Sequence, residues 1–223
     1  IAAALNRVRA QARSGARAPE QNRDIRSLID EMRLVKHDAE LALMRRAADI
    51  SGAAHRRAMR TARPGTREYE VEAELLHEFR RGGSQAPAYT SIVASGANAC
   101  VLHYVENDRV MQNGELLLID AGCELDGYAS DITRSFPVNG RFSGPQKAAY
   151  ELVLAAQAAA IAEIRPGASW NAGHDAAVRV LAQGFIDLGL LAGSLDGVLE
   201  TGSYRQFYMH RTGHWLGLDV HDA

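Results

Sequence analysis

The sequence predicts an α+β fold in which a helix pair packed on a sheet occurs twice, related by a pseudo-twofold axis. Three observations lead there. First, one order is written twice: helix, Arg-Pro-Gly, a Thr or Ser cap, helix, strand, histidine. Pro64 and Pro166 begin the two copies. Second, Leu116 to Ile119 run straight into Asp120 between Gly114 and Gly122, and an apolar run that short reads as a buried strand. Third, Asp126-Gly127 signals a hairpin, because glycine takes the positive φ a tight turn needs. A second strand then carries Asp131 and continues along Ile132 to Val138. The second copy runs out of chain before any such hairpin, so the fold is expected to be truncated at its C-terminus.

A chain of 223 residues can bury one sizeable core and carry a remnant of another domain. With 47% hydrophobic and 23% charged residues it has the balance of a soluble globular protein. Its net charge of −2 suggests neither nucleic acid nor an anionic membrane surface as a partner. No apolar run approaches the ~20 residues of a membrane span, and no signal peptide is visible. Cys100 and Cys123 form no CxxC, so neither a disulfide framework nor a zinc knuckle is indicated. A cytoplasmic enzyme is expected. The chain begins at Ile1 and stops at Ala223 just after a His-Asp, as a piece cut at both ends would.

In chain order, residues 1–17 are Ala- and Arg-rich and predict a helix broken by Ser14-Gly15 and Pro19. Residues 18–24 read as a linker, so 1–24 are taken as a domain remnant and 25–223 as the main, incomplete domain. Apolar spacing predicts a short amphipathic helix over 25–34 and a long one over 38–62, with a stripe through Leu41, Leu43, Met44, Ala47, Ile50, Ala54 and Met59. Arg63-Pro64-Gly65 stops it. Thr66 is expected to cap the next helix, with Glu68 and Glu70 in its first turn, Val71, Leu75, Leu76 and Phe79 buried, and an end at Gly82-Gly83. Ala88 to Ala94 reads as a strand. After the hairpin, 148–164 predict an Ala-rich helix stopped by Arg165-Pro166-Gly167, and Ser169 caps another running to about Leu188.

Two carboxylates, Asp120 and Asp131, thus fall on neighbouring strands beside apolar residues. A buried carboxylate is costly without a cation or strong donors, and two together repel. A metal ion removes both costs, and oxygen ligands suit Mn²⁺, Mg²⁺ or Zn²⁺. His103, His210, His214 and His221 lie in Gly-flanked, strand-like or loop segments. His55 and His77, among charges, are expected on solvated faces, and His174 on the surface. His210 and His214 do not form H-E-x-x-H, and Gly213 and Gly217 argue against a regular helix there. Neutral imidazole either binds metal or hydrogen-bonds a substrate carbonyl, and spacing alone leaves the roles open.

Five stretches carry a resemblance: Ile92-Val-Ala-Ser-Gly, Leu102-His103-Tyr, Leu118-Ile-Asp120-Ala-Gly-Cys-Glu, Gly127-Tyr-Ala-Ser-Asp131-Ile-Thr-Arg-Ser-Phe-Pro-Val-Asn-Gly, and His214-Trp-Leu-Gly-Leu-Asp-Val-His221-Asp. From about residue 25 onward the chain resembles the Xaa-Pro aminopeptidases (aminopeptidase P) of the pita-bread metallopeptidase fold. Glu31-Met-Arg-Leu-Val-Lys36 looks like their interdomain link. Prolidases share much of the pattern, and methionine aminopeptidases share the fold and the Asp pair. The resemblance implies release of the N-terminal residue from peptides with proline second, by a metal-bridging hydroxide. It implies two divalent ions, usually Mn²⁺, held by Asp120, Asp131 (bridging) and His214, with two glutamate ligands beyond residue 223. His103, His210 and His221 then contact substrate or assist the chemistry, and Tyr89 lines the proline pocket. A homo-oligomer is expected at full length. Pita-bread domains also occur as binding proteins without their metal ligands, a reading against which Asp120, Asp131 and His214 stand.

Overall fold

The computed structural model describes residues 2–19 and 23–223. The chain divides into two compact units, Ile1–Val35 with Ala223, and Lys36–Asp222. The linker expected at 18–24 falls partly on residues 20–22, which lie outside the described residues. In the first unit, α1 spans Ala2–Ala10, a 3₁₀ turn spans Ala12–Ser14, and α2 spans Arg26–Leu34.

The second unit opens with α3, Asp38–Thr61, and α4, Glu68–Arg81. At the head of α3 the Glu40 carboxylate accepts from the His37 backbone N–H at 2.8 Å. The cap of α4 is Arg67, not Thr66: Glu70 accepts from the Arg67 N–H at 2.6 Å, while the Thr66 hydroxyl turns back to donate to the Arg63 carbonyl at 2.8 Å. The Arg-Pro-Gly turn captures that hydroxyl before the helix starts.

Six short strands follow: β1 Ala86–Pro87, β2 Ile92–Ser95, β3 Leu116–Asp120, β4 Cys123–Leu125, β5 Tyr128–Ala129 and β6 Thr133–Pro137. They form two antiparallel sheets, ordered β2-β3-β6 and β1-β4-β5. The strand expected over 88–94 is therefore split, with Tyr89 between the sheets. One hairpin feeds both: its base (β3, β6) belongs to the first sheet and its tip (β4, β5) to the second. Asp126 and Gly127 have φ of 51° and 87°, as the tight turn requires. The chain changes sheets at residues 121–122 and 130–132. Gly122 permits the crossing, since a Cβ there would stand 1.6 Å from the Ser130 carbonyl oxygen.

The core joins α3 (Ala47, Ile50, Ala54, Ala58) and α4 (Val71, Leu75, Phe79) to Val93, Leu117, Ile119 and Val138 of the first sheet and its exit. Met59, expected on the buried stripe, is exposed. The second helix pair is α5, Gly144–Glu163, and α6, Trp170–Asp187, followed by α7, Leu195–Thr201. Ser143 and Ser169 cap α5 and α6 by accepting from Gln146 and Asn171 N–H. Ala156, Ala160, Ala177 and Leu181 hold α5 against α6. The helix pair is thus present twice, but residues 207–223 form no strand among the described residues. That segment closes on itself through Gly217 N–H to Asp219 and Asp222 N–H to Trp215. No helix among the described residues is long and apolar enough to cross a membrane.

Candidate functional site

Asp120 ends β3, in register with Thr133 of β6. Asp131 stands in the corner between β5 and β6, off both ladders. The two carboxylates are therefore set at a sheet corner and not, as expected, on paired strands. The corner brings them to one donor. The Tyr89 hydroxyl lies 2.5 Å from Asp120 Oδ1 and 2.9 Å from Asp131 Oδ1. A phenol carries one hydrogen, so it can serve only one of these acceptors at a time. Burial pushes Asp120 above the usual carboxylate range. The Tyr89 bond opposes that rise, and the Asp131 charge adds to it. Burial also pushes the Tyr89 hydroxyl well above its usual value, helped by both carboxylates, which keeps it a donor.

The histidine-rich segment reaches this corner by docking on β5. Ala129 N–H donates to the Gly217 carbonyl at 2.8 Å, and the buried Lys36–Asp222 ion pair, at 2.8 Å, holds the far side of the same turn. His214 Nε2 is then 3.1 Å from Asp131 Oδ2, and its Nδ1 is 2.7 Å from the Trp215 carbonyl. A carbonyl only accepts, so Nδ1 carries a hydrogen, and Nε2 is the ring atom turned toward the carboxylate. The His221 ring packs on His214 with centroids 4.1 Å apart. His103 is exposed at a φ of 56°, unusual for a side chain with a Cβ, and no hydrogen bond joins it to the carboxylates among the described residues. His210 bonds the Arg211 carbonyl and meets the edge of Tyr208. It lines a cavity of about 140 Å³ with His174, Arg205 and Arg211, and no hydrogen bond joins it to the carboxylates among the described residues.

Asp120, Asp131, Tyr89 and His214 thus come together, with His221 stacked on His214, while no hydrogen bond brings His103 or His210 to the carboxylates among the described residues. Asp120 and Asp131 offer acceptors to one another, Tyr89 brings one hydrogen, and the His214 ring lies against Asp131. Such a set is short of positive charge, which a divalent cation supplies, and its oxygen and imidazole donors suit one. Among the described residues, no three or more His, Cys, Asp or Glu side chains close into a group able to hold a metal ion. A further expectation fails. His55 is not on a solvated face but 3% exposed, with Nε2 3.0 Å from the Ala121 carbonyl. The signal that points to it is helical spacing, since His55 lies four residues after Ser51 and eight after Ala47.

Residues 42–223 match the model of metallopeptidase family M24. The chain is 54% identical over 200 residues to the Xaa-Pro aminopeptidase of Haemophilus influenzae, a match covering 90% of this chain and 46% of that protein. The structure of Pseudomonas aeruginosa aminopeptidase PepP superposes with a TM-score of 0.94 at 55% identity, covering 98% of this chain and 50% of that one. Zn-substituted Escherichia coli aminopeptidase P in complex with product gives 0.94 at 46% identity, covering 99% and 50%. The α+β architecture is accordingly that of the aminopeptidase P structures, the pita-bread fold expected from the sequence. The chain spans about half the length of the relatives it matches.

Proposed function

The chain belongs to metallopeptidase family M24, and from that premise we propose that the whole protein is a metal-dependent aminopeptidase that releases the N-terminal residue before proline. The observation that carries this reading is the convergence of Asp120 and Asp131 on one hydroxyl, with a His214 ring nitrogen aimed at Asp131. Asp120, Asp131 and His214 would hold two divalent ions, assigned as Mn²⁺ by resemblance, together with two glutamates beyond residue 223. Such ions acidify bound water and polarise a carbonyl.

The chain's own residues then divide the remaining work. By the same resemblance Asp131, whose two oxygens face Tyr89 and His214, would be the ligand that the two ions share. His103 and, stacked on His214, His221 would by the same resemblance donate toward the substrate carbonyl oxygen as charge develops on it. His210 would contact substrate further out. A proline after the scissile bond offers no N–H, so recognition falls to ring packing, for which Tyr89 is placed beside the pair. The protein is taken to be a cytoplasmic homo-oligomer acting on peptides, and light scattering on the full-length chain tests its assembly.

The test is hydrolysis by the full-length protein after chelation and re-addition of Mn²⁺. Cleavage of Xaa-Pro peptides without cleavage of Xaa-Ala peptides is expected. Equal cleavage of both would mean a general aminopeptidase, and activity on Xaa-Pro dipeptides alone would mean a prolidase. No hydrolysis with any metal would leave a binding protein.

A further inference from the structure

Ala47, Ser51 and His55 are spaced four apart on α3 and so share one face, and all three are buried, at 0%, 0% and 3% exposure. This face does more than pack. His55 Nε2 is 3.0 Å from the Ala121 carbonyl. Ser51 Oγ accepts from the Cys123 N–H at 2.9 Å and lies 2.8 Å from Ser130 Oγ. Ser130 Oγ is 3.0 Å from the same N–H and 2.8 Å from the Cys123 carbonyl. The Cys123 thiol points at the Ala47 carbonyl, 3.4 Å away. Ala121 adjoins Asp120, and Ser130 adjoins Asp131.

We infer, on the function proposed above, that Ser51 and His55 are positioning residues for the carboxylate pair. The reason lies in the corner. Where the chain leaves one sheet for the other, Ala121 N–H still donates to the Ile132 carbonyl and Ser130 N–H to the Cys123 carbonyl, but the Ala121 carbonyl and the Cys123 N–H take side-chain partners. Helix α3 supplies them from behind, at the Ala121 carbonyl one residue past Asp120 and at the Cys123 N–H, and its Ser51 reaches the Ser130 hydroxyl one residue before Asp131. Because a carbonyl only accepts, His55 Nε2 carries the ring hydrogen. Its Nδ1 is then a buried lone pair with no partner among the described residues. A ring present for packing alone would be better served by phenylalanine, which buries no unpaired acceptor. The bond to Ala121 is what explains a histidine here. The two crossings are also coupled. Gly122 leaves no space between them and the Ser130 carbonyl, so a shift at Ala121 is passed to Ser130 and Asp131.

The test uses the full-length protein, with Mn²⁺ affinity read by calorimetry beside thermal melting and steady-state kinetics. His55→Phe keeps the ring volume and loses the donor. It should weaken Mn²⁺ binding by about 10–100-fold, the usual loss when a partner behind the ligands is removed, and lower kcat more than it changes KM. His55→Gln can place an amide N–H where Nε2 stood and should restore most of both. Unchanged Mn²⁺ affinity in His55→Phe, or equal losses in the Gln and Phe variants, would overturn the positioning role. Should His55→Phe not fold, Ser51→Ala carries the test, with a smaller loss of Mn²⁺ affinity expected and no loss overturning the role. If the parent protein itself binds no Mn²⁺, the proposed function falls and the positioning role with it. If the parent binds and the variants match it, only the positioning role falls.

Discussion

The helix pair α3–α4 and the helix pair α5–α6 present opposite faces to their surroundings. The first buries Ile50, Val71, Leu75 and Phe79 against a three-stranded sheet, and its buried face also holds Ser51 and His55. The second meets itself through alanines and leaves Val153, Leu154, Ile161 and Ile164 exposed. Every strand among the described residues lies in the first region, and so do both carboxylates. The second region contributes His214 and His221 on a turn held by a few bonds. The strands and both carboxylates are therefore concentrated in one half, and His214 and His221 reach them from the other.

That contrast can be broken most sharply at glycine. Gly122→Ala would set a Cβ 1.6 Å from backbone at the sheet corner, where no side chain can yield. A loss of about 3–5 kcal/mol in urea unfolding is expected. Gly213→Ala, in the histidine segment, meets nothing within 4 Å and should stay within about 0.5 kcal/mol. Similar losses at both positions would mean that the corner is no tighter than the turn. The cores differ in the same sense. Leu75→Ala, fully buried beneath the sheet, should cost about 2–5 kcal/mol. Leu154→Ala on α5, 45% exposed, should change stability by no more than about 0.5 kcal/mol.

Acid should act on the first region before the second. Glu68 has no exposed surface. Burial pushes its carboxyl up, but bonds from Ser95, Tyr104 and the Arg109 N–H outweigh that and hold it below its ordinary 4.5. A depressed carboxylate stabilises the fold above its unfolded value, and that stability is lost as pH falls through the folded one. Melting temperature should therefore drop as pH falls below 4.5. Glu68→Gln should start lower and show a flatter dependence over that window. An equally steep slope in the variant would assign the acid sensitivity elsewhere.

The helices and the Asp126-Gly127 turn were legible because their signals are local: periodicity, caps and a glycine at positive φ. The convergence of Asp120, Asp131 and His214 was legible through motif resemblance. What the sequence hid depends on pairing. The same apolar alternation serves one sheet or two, so the transfer of β4 and β5 to a second sheet, and of Asp131 to a corner, left no local mark beyond Gly122. The charged neighbours of His55 point to solvent, whereas its spacing from Ala47 and Ser51 puts it inside. The Tyr89 contact with both carboxylates needs the split between the sheets, which one continuous strand over 88–94 would not give.

The smallest expected difference lies in the ion pairs of the two helix pairs. Arg57 of α3 bridges to Glu74 of α4 and lies 3.7 Å from Glu78, with side chains 20–33% exposed. One guanidinium thus ties two helices through two carboxylates, in partial shelter from solvent. Lys147 and Glu151 pair within α5 at 3.5 Å, each more than 60% exposed. Water screens that pair, and fixing two long side chains costs it much of its attraction. Double-mutant cycles should give about 1 kcal/mol for Arg57–Glu74 and about 0.3–0.5 kcal/mol for Lys147–Glu151. Raising ionic strength to 1 M shortens the screening length to about 3 Å and should nearly abolish the α5 pair while sparing much of the sheltered one. Equal coupling energies, or equal salt sensitivity, would show that α3 and α4 gain nothing from Arg57 beyond what an isolated helix surface provides.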